Sequence, residues 1–158
     1  AMAITRWDIG RGAPFLLHLM DNLKKSNTRR VVAGNWPNAE LLKQFKNQIS
    51  KHDMRGRVSI AQNLSEHELN ELYRGARCLI SPIKGALIMT ALEAAAQGTP
   101  IVFPAGAGAW EIFKSGAHGY EVDEGDIKGY VDNILRFEDE ETLKKMGSAI
   151  WKESFKYS

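Results

Sequence analysis

Short apolar segments with a strand-like pattern alternate, along the whole chain, with longer segments of helical period. That alternation constrains the fold more than any other feature. Leu41, Phe45 and Ile49 recur every four residues and predict a helix over 38–51, while Phe15, Leu16, Leu19, Met20 and Leu23 share one face of a helix over 14–25. Strands are expected at Ala3–Thr5, Arg30–Ala33, Val58–Ala61, Arg77–Ser81 (halted by Pro82), Ile101–Phe103 and Tyr120–Val122. Ser65 and Glu68 form a capping box opening a helix through Arg74, because each side chain can satisfy the other's free amide. An Ala-rich helix over 87–97 ends at Gly98, and a short helix is expected near 109–115. Asp126 caps a helix to about Arg136, and a last helix runs to Tyr157, supported by Glu140–Lys144 and Glu141–Lys145 pairs. Strict alternation implies an α/β domain, a Rossmann-like parallel sheet covered by helices on both faces. Ligands bind such sheets beyond the carboxyl ends of the strands, and the glycines cluster there: Gly10, Gly12, Gly34, Gly85, Gly106 and Gly108.

The chain of 158 residues has room for one domain with a real core, spanning 1–158. Its net charge of +2 is spread in mixed sign, unlike the basic stripe of a nucleic-acid binder. No apolar run reaches the roughly 18 residues of a membrane span, and no signal peptide is evident. Cys78, alone in an apolar run, reads as a core residue and fits a reducing, cytoplasmic compartment. His18, His52, His67 and His118 lack ligand spacing, so neither a protein-bound metal nor another cofactor is expected. Trp7, Trp36, Trp110 and Trp151 read as packing residues; Trp36 and Trp110 sit in loops on the expected ligand side.

The stretch from Ser81 to Val102 is the most informative: Ser-Pro, a turn with Gly85, a helix bearing Glu93, then Gly98-Thr99-Pro100-Ile101-Val102. It resembles the group 1 glycosyltransferases, retaining enzymes of the GT-B fold. Further matches keep the family's order: Arg6 and Arg11 followed by Gly12; Val31 to Pro37 with Gly34 in its loop; Val58 to Tyr73; Gly106 to Glu111; and Gly119 to Asp126. The resemblance implies a donor domain for a nucleotide-diphosphate sugar. Arg6 and Arg11 would face the diphosphate and stabilise it as it leaves. The amides of Ile88, Met89 and Thr90 would point at a phosphate from the helix N-terminus. Glu93 would accept hydrogen bonds from both ribose hydroxyls, its apolar neighbours arguing against a solvated face. Gly34 and Asn63 would complete the substrate contacts, the segment 62–64 meeting the base through its backbone.

The sequence departs from the family where its first acidic residue belongs, eight positions before Glu93: Gly85 stands there, with Lys84 beside it, and Ala86 and Ile88 replace turn glycines. The expected function is therefore donor binding in a retaining hexosyltransferase that acts on a glycan, lipid or polysaccharide. The alternative is a degenerate nucleotide-binding module without catalysis. An N-terminal acceptor-binding domain is the expected partner, and membrane contact would come only through that missing half. A fragment lacking it is expected to bind donor without transferring sugar. A nicotinamide-dependent enzyme is disfavoured because no Gly-x-Gly-x-x-Gly turn opens the first helix.

Overall fold

A computed structural model describes residues 2–4, 12–26, 28–36, 38–54 and 56–157. Among these residues six strands, β1 (Met2–Ile4), β2 (Arg30–Ala33), β3 (Val58–Ala61), β4 (Leu79–Ile80), β5 (Ile101–Pro104) and β6 (Gly119–Val122), form one sheet in the order β3-β2-β1-β4-β5-β6. Every neighbouring pair is parallel. Strand order reverses between β1 and β4, which opens a crevice beyond their carboxyl ends.

Among the described residues, six helices flank the sheet: α1 (Ala13–Asn22), α2 (Ala39–Lys51), α3 (Glu66–Gly75), α4 (Ile88–Ala96), α5 (Ile127–Leu135) and α6 (Glu140–Ser154). The alternating faces of the strands sort the core into two layers. Val32, Ile80 and Val102 pack with Leu16, Leu19, Phe45, Ile49, Tyr130 and Ile134 from α1, α2 and α5. Leu79, Ile101 and Phe103 pack with Tyr73, Ala91, Ala94, Ala95 and Ile150 from α3, α4 and α6. The expected three-layer α/β domain is therefore present.

Local chemistry sets the helix ends. The Ser65–Glu68 capping box is formed in both directions, and the Asp126 side chain accepts from the Gly129 amide. Gly98, at φ +75°, ends α4: its amide donates to Ala95 O, and that of Thr99 donates to Ala94 O. Several expected boundaries move. The first strand pairs over Met2–Ile4, and α1 stops at Asn22, whose side chain turns back to His18 O. β4 is trimmed to two paired residues. The short helix near 109–115 is a single 3₁₀ turn, Gly108–Glu111. α5 gives way to a 3₁₀ turn at Arg136–Glu138, and α6 tightens to 3₁₀ over Phe155–Tyr157. Glu140 bonds Arg77 at 2.9 Å rather than Lys144, because the chain before β4 passes the start of α6. Among the described residues, no helix is long and apolar enough to cross a membrane.

Candidate functional site

The crevice at the strand-order reversal is walled by the turn between β4 and α4, residues 81–87. Tyr130 donates its hydroxyl to Ser81 O at 2.9 Å, and Ser81 Oγ donates to Ile83 O at 2.9 Å. Gly108 donates its amide to Gly85 O, also at 2.9 Å. Contacts from α5, from the turn's own start and from the loop after β5 thus hold the turn. Leu87 closes it in the left-handed region at φ +54°, a conformation costing a non-glycine residue about 1–2 kcal/mol.

Leu87 gives α4 no side-chain cap, and the first intrahelical bond runs from the Ala91 amide to Leu87 O. The amides of Ile88, Met89 and Thr90 precede that bond and carry the positive end of the helix dipole. Met89 is 69% exposed while Ile88 and Thr90 are half-buried, so the helix start borders open space. An anion there would meet oriented amides.

Glu93 is exposed, contrary to the expectation drawn from its apolar sequence neighbours: Ala91, Ala94 and Ala95 face the core and leave Glu93 on the outer side. It is nevertheless held, accepting from the Tyr73 hydroxyl at 3.1 Å. Lys84 is exposed and its stem crosses Gly106, where an added Cβ would lie 2.8 Å from Lys84 Cε. The Gly106 amide donates to Glu121 Oε1 at 3.2 Å, tying the loop after β5 to β6.

Across the crevice, Gly34 follows β2 at φ +145° and donates its amide to Ala61 O at 3.0 Å. Asn63, at φ +51°, donates its amide to Asn35 Oδ1 at 2.9 Å. Gly34 and Asn63 are thus brought together, beyond β2 and β3. The 88–90 amides and Glu93 form a second group, beyond β4. Arg6 and Arg11 lie outside the described residues.

The remaining candidates separate cleanly. Cys78 is fully buried, and burial pushes its thiol up to about 11, which suits packing and not nucleophilic attack. Trp110 donates its ring N–H to Pro104 O, and Trp36 lies against Phe45 with tilted rings, 5.0 Å between centroids, so both pack. Glu111 is exposed at the end of its 3₁₀ turn. His18, His52 and His67 are exposed, while His118 is buried and accepts the Lys114 amide through Nδ1. Among the described residues, no three His, Cys, Asp or Glu side chains are grouped to hold a metal ion. Asn35, Tyr73, Tyr130 and Glu121 were not singled out by sequence reasoning. Asn35, Tyr73 and Glu121 lie inside segments that carried the resemblance, but their partners lie 28, 20 and 15 positions away.

The chain matches the profile of the family described as "Glycosyl transferases group 1" over residues 4–152. No curated protein matches it in sequence. Among solved structures, Anabaena Alr3699/HepE in complex with UDP-glucose superposes with a TM-score of 0.84 at 16% identity, over 98% of this chain and 43% of that one. A glycosyltransferase from Rickettsia africae gives 0.84 at 17% identity, over 98% and 42%. The C-terminal domain of the group 1 protein LpcC from Francisella tularensis gives 0.83 at 19% identity, over 99% and 84%. The chain therefore spans less than half the length of the first two and most of the isolated C-terminal domain. Its fold is that of the C-terminal half of a GT-B glycosyltransferase.

Proposed function

The chain belongs to the group 1 glycosyltransferases, and we propose that it is the donor-binding domain of a retaining hexosyltransferase that uses a nucleotide-diphosphate sugar. The observation carrying this reading is the uncapped start of α4, with the Ile88, Met89 and Thr90 amides at the crevice and Glu93 one turn further along the same helix. A phosphate on the amides leaves a ribose within reach of the Glu93 carboxylate. HepE, of the same fold, has been crystallised with UDP and with UDP-glucose.

As the glycosyl bond breaks, negative charge grows on the departing phosphate. Oriented amides stabilise it without reorganising, and in this reading Arg6 and Arg11 add two guanidinium groups. The acceptor, a glycan, lipid or polysaccharide, would be held by a separate N-terminal domain of a cytoplasmic enzyme. The chain by itself would then bind donor but not transfer sugar. A second reading, a binding module without turnover, is favoured by Gly85 and Ile88: the first removes the family's acidic group, and the second puts a side chain where glycine allows the closest approach.

Calorimetric titration with UDP, GDP and ADP, repeated on Arg11→Ala and Glu93→Ala, tests the donor site. One nucleotide should bind and both substitutions should weaken it. Binding indifferent to both, or no binding, would reject the assignment. Sugar transfer by the chain alone would reject the division of labour.

A further inference from the structure

Glu93 is exposed, and a free glutamate on a helix surface samples many rotamers. Here one oxygen is already committed: Tyr73 donates its hydroxyl to Oε2 at 3.1 Å. Tyr73 cannot easily move, since its ring is fully buried against the α3–α4–β5 layer. Its backbone is also held, because Thr99 Oγ1 donates to Tyr73 O. One residue on, Arg74 Nη2 donates to Gln97 Oε1 at 2.9 Å, a second link from α3 to the end of α4.

The direction of the two side chains matters. Helical side chains lean toward the N-terminus of their own helix. The N-termini of α3 and α4 both follow strand carboxyl ends, at the crevice edge of the sheet. Tyr73, from the last turn of α3, and Glu93, from the middle of α4, therefore both lean toward the crevice edge of the sheet.

We propose that Tyr73 is a positioning residue for ribose recognition: its hydroxyl fixes Glu93 Oε2, so that Oε1 and the remaining lone pairs are presented to the ribose 2′- and 3′-hydroxyls. This rests on the reading of Glu93 as the ribose ligand. Pre-ordering the carboxylate removes part of the side-chain entropy that binding would otherwise cost. Burial, reinforced by the Glu93 charge, holds the Tyr73 phenol far above its ordinary range, so it remains a neutral donor across working pH. A donor is what a carboxylate needs, since an ionised carboxylate only accepts.

The test is calorimetry with UDP, GDP and ADP and their 2′,3′-dideoxy counterparts, on the unaltered chain, Tyr73→Phe, Glu93→Ala and the double variant. The unaltered chain should prefer the ribonucleotide. Tyr73→Phe should weaken the ribonucleotide roughly three- to tenfold, the range of a typical net hydrogen bond, and leave the dideoxy affinity unchanged. In the Glu93→Ala background the same change should do nothing further. The dideoxy ligand is the control for folding, together with the thermal midpoint. Equal weakening of both ligands by Tyr73→Phe would make Tyr73 merely structural and overturn the proposal alone. A ribonucleotide preference that survives Glu93→Ala would remove the ribose role of Glu93, and the proposal with it. Failure of every nucleotide to bind would overturn the donor-domain reading itself.

Discussion

Gly108→Ala should damage the candidate site without touching a residue that contacts a ligand. A Cβ on Gly108 would lie 2.8 Å from Ala86 O and 3.0 Å from Ala86 Cα. Both are backbone atoms of the turn that leads into α4, so no flexible side chain can swing aside. Relief requires the loop after β5 and the 85–87 turn to part by several tenths of an ångström. Overpacking of this kind costs about 1–3 kcal/mol. Parting also stretches the bond from the Gly108 amide to Gly85 O, now 2.9 Å, worth about 1 kcal/mol net. A total of roughly 2–4 kcal/mol corresponds to a fall in Tm of about 4–16 °C for a chain of this size. Because the displaced turn carries the start of α4, nucleotide affinity measured below the transition should drop as well. Gly106→Ala is the comparison: it also meets strain, at φ +78°, but its Cβ would strike only the flexible end of Lys84. Differential scanning fluorimetry and calorimetry read both effects. A Gly108→Ala chain with unchanged Tm and unchanged affinity would show that the turn is not held by this contact.

Two further outcomes follow from buried polar groups. Arg30 is 4% exposed, none of its guanidinium nitrogens has a hydrogen-bond partner, and Leu16, Leu19, Met20, Leu23 and Ile80 surround it; Arg30→Met should therefore raise stability by about 1–4 kcal/mol, and a lower Tm would reveal a partner for the guanidinium. His118 accepts the Lys114 amide through Nδ1, so it must be neutral there, and burial lowers its pKa below the ordinary value of 6.5. Between the folded pKa and 6.5 the unfolded chain then binds more protons, so stability is full above about pH 6.5 and declines as pH falls toward the folded value. Tm measured from pH 7.5 to 5 should fall in that window, less so in His118→Asn, which keeps an acceptor but does not titrate; identical pH profiles would assign the loss to other groups.

Local signals were legible in the sequence because local forces decide them. The four-residue spacing of Leu41, Phe45 and Ile49, the Ser65–Glu68 box and the glycine after α4 each fix structure within one or two turns, and each is found as read. Side-chain pairing and exposure departed from the sequence reading where distant contacts or helical periodicity decided them. Glu140 lies one turn from Lys144 yet bonds Arg77, 63 positions earlier. Glu93 sits among alanines in sequence, but helical periodicity turns Ala91, Ala94 and Ala95 inward and leaves the carboxylate outside. Its partner Tyr73 belongs to another helix, and only the sheet order makes them neighbours. The placement of Arg6 and Arg11 rests on the family resemblance alone, since both lie outside the described residues.

The backbone conformations show where the fold spends strain. Asp53, left-handed at φ +57°, directly follows the last turn of α2, where its amide donates to Ser50 O and that of Met54 donates to Ile49 O; this is a helix stop, and the bonds offset the strain. Asn63 and Leu87 are left-handed too, but both precede helices and follow strand carboxyl ends, on the crevice side. Asn63 tolerates the conformation, and its amide is used by Asn35. Leu87 has neither advantage. It is kept by the contacts of its turn with Gly108 and Tyr130 and by α4, which starts at the next residue. A strained residue held in place at the start of an uncapped helix is costly to stability, and in the proposed donor site it would serve an anion by fixing where the Ile88, Met89 and Thr90 amides begin. On this argument the strain at Leu87 and the close approach of Gly108 are two parts of one device, and loosening either should release the other.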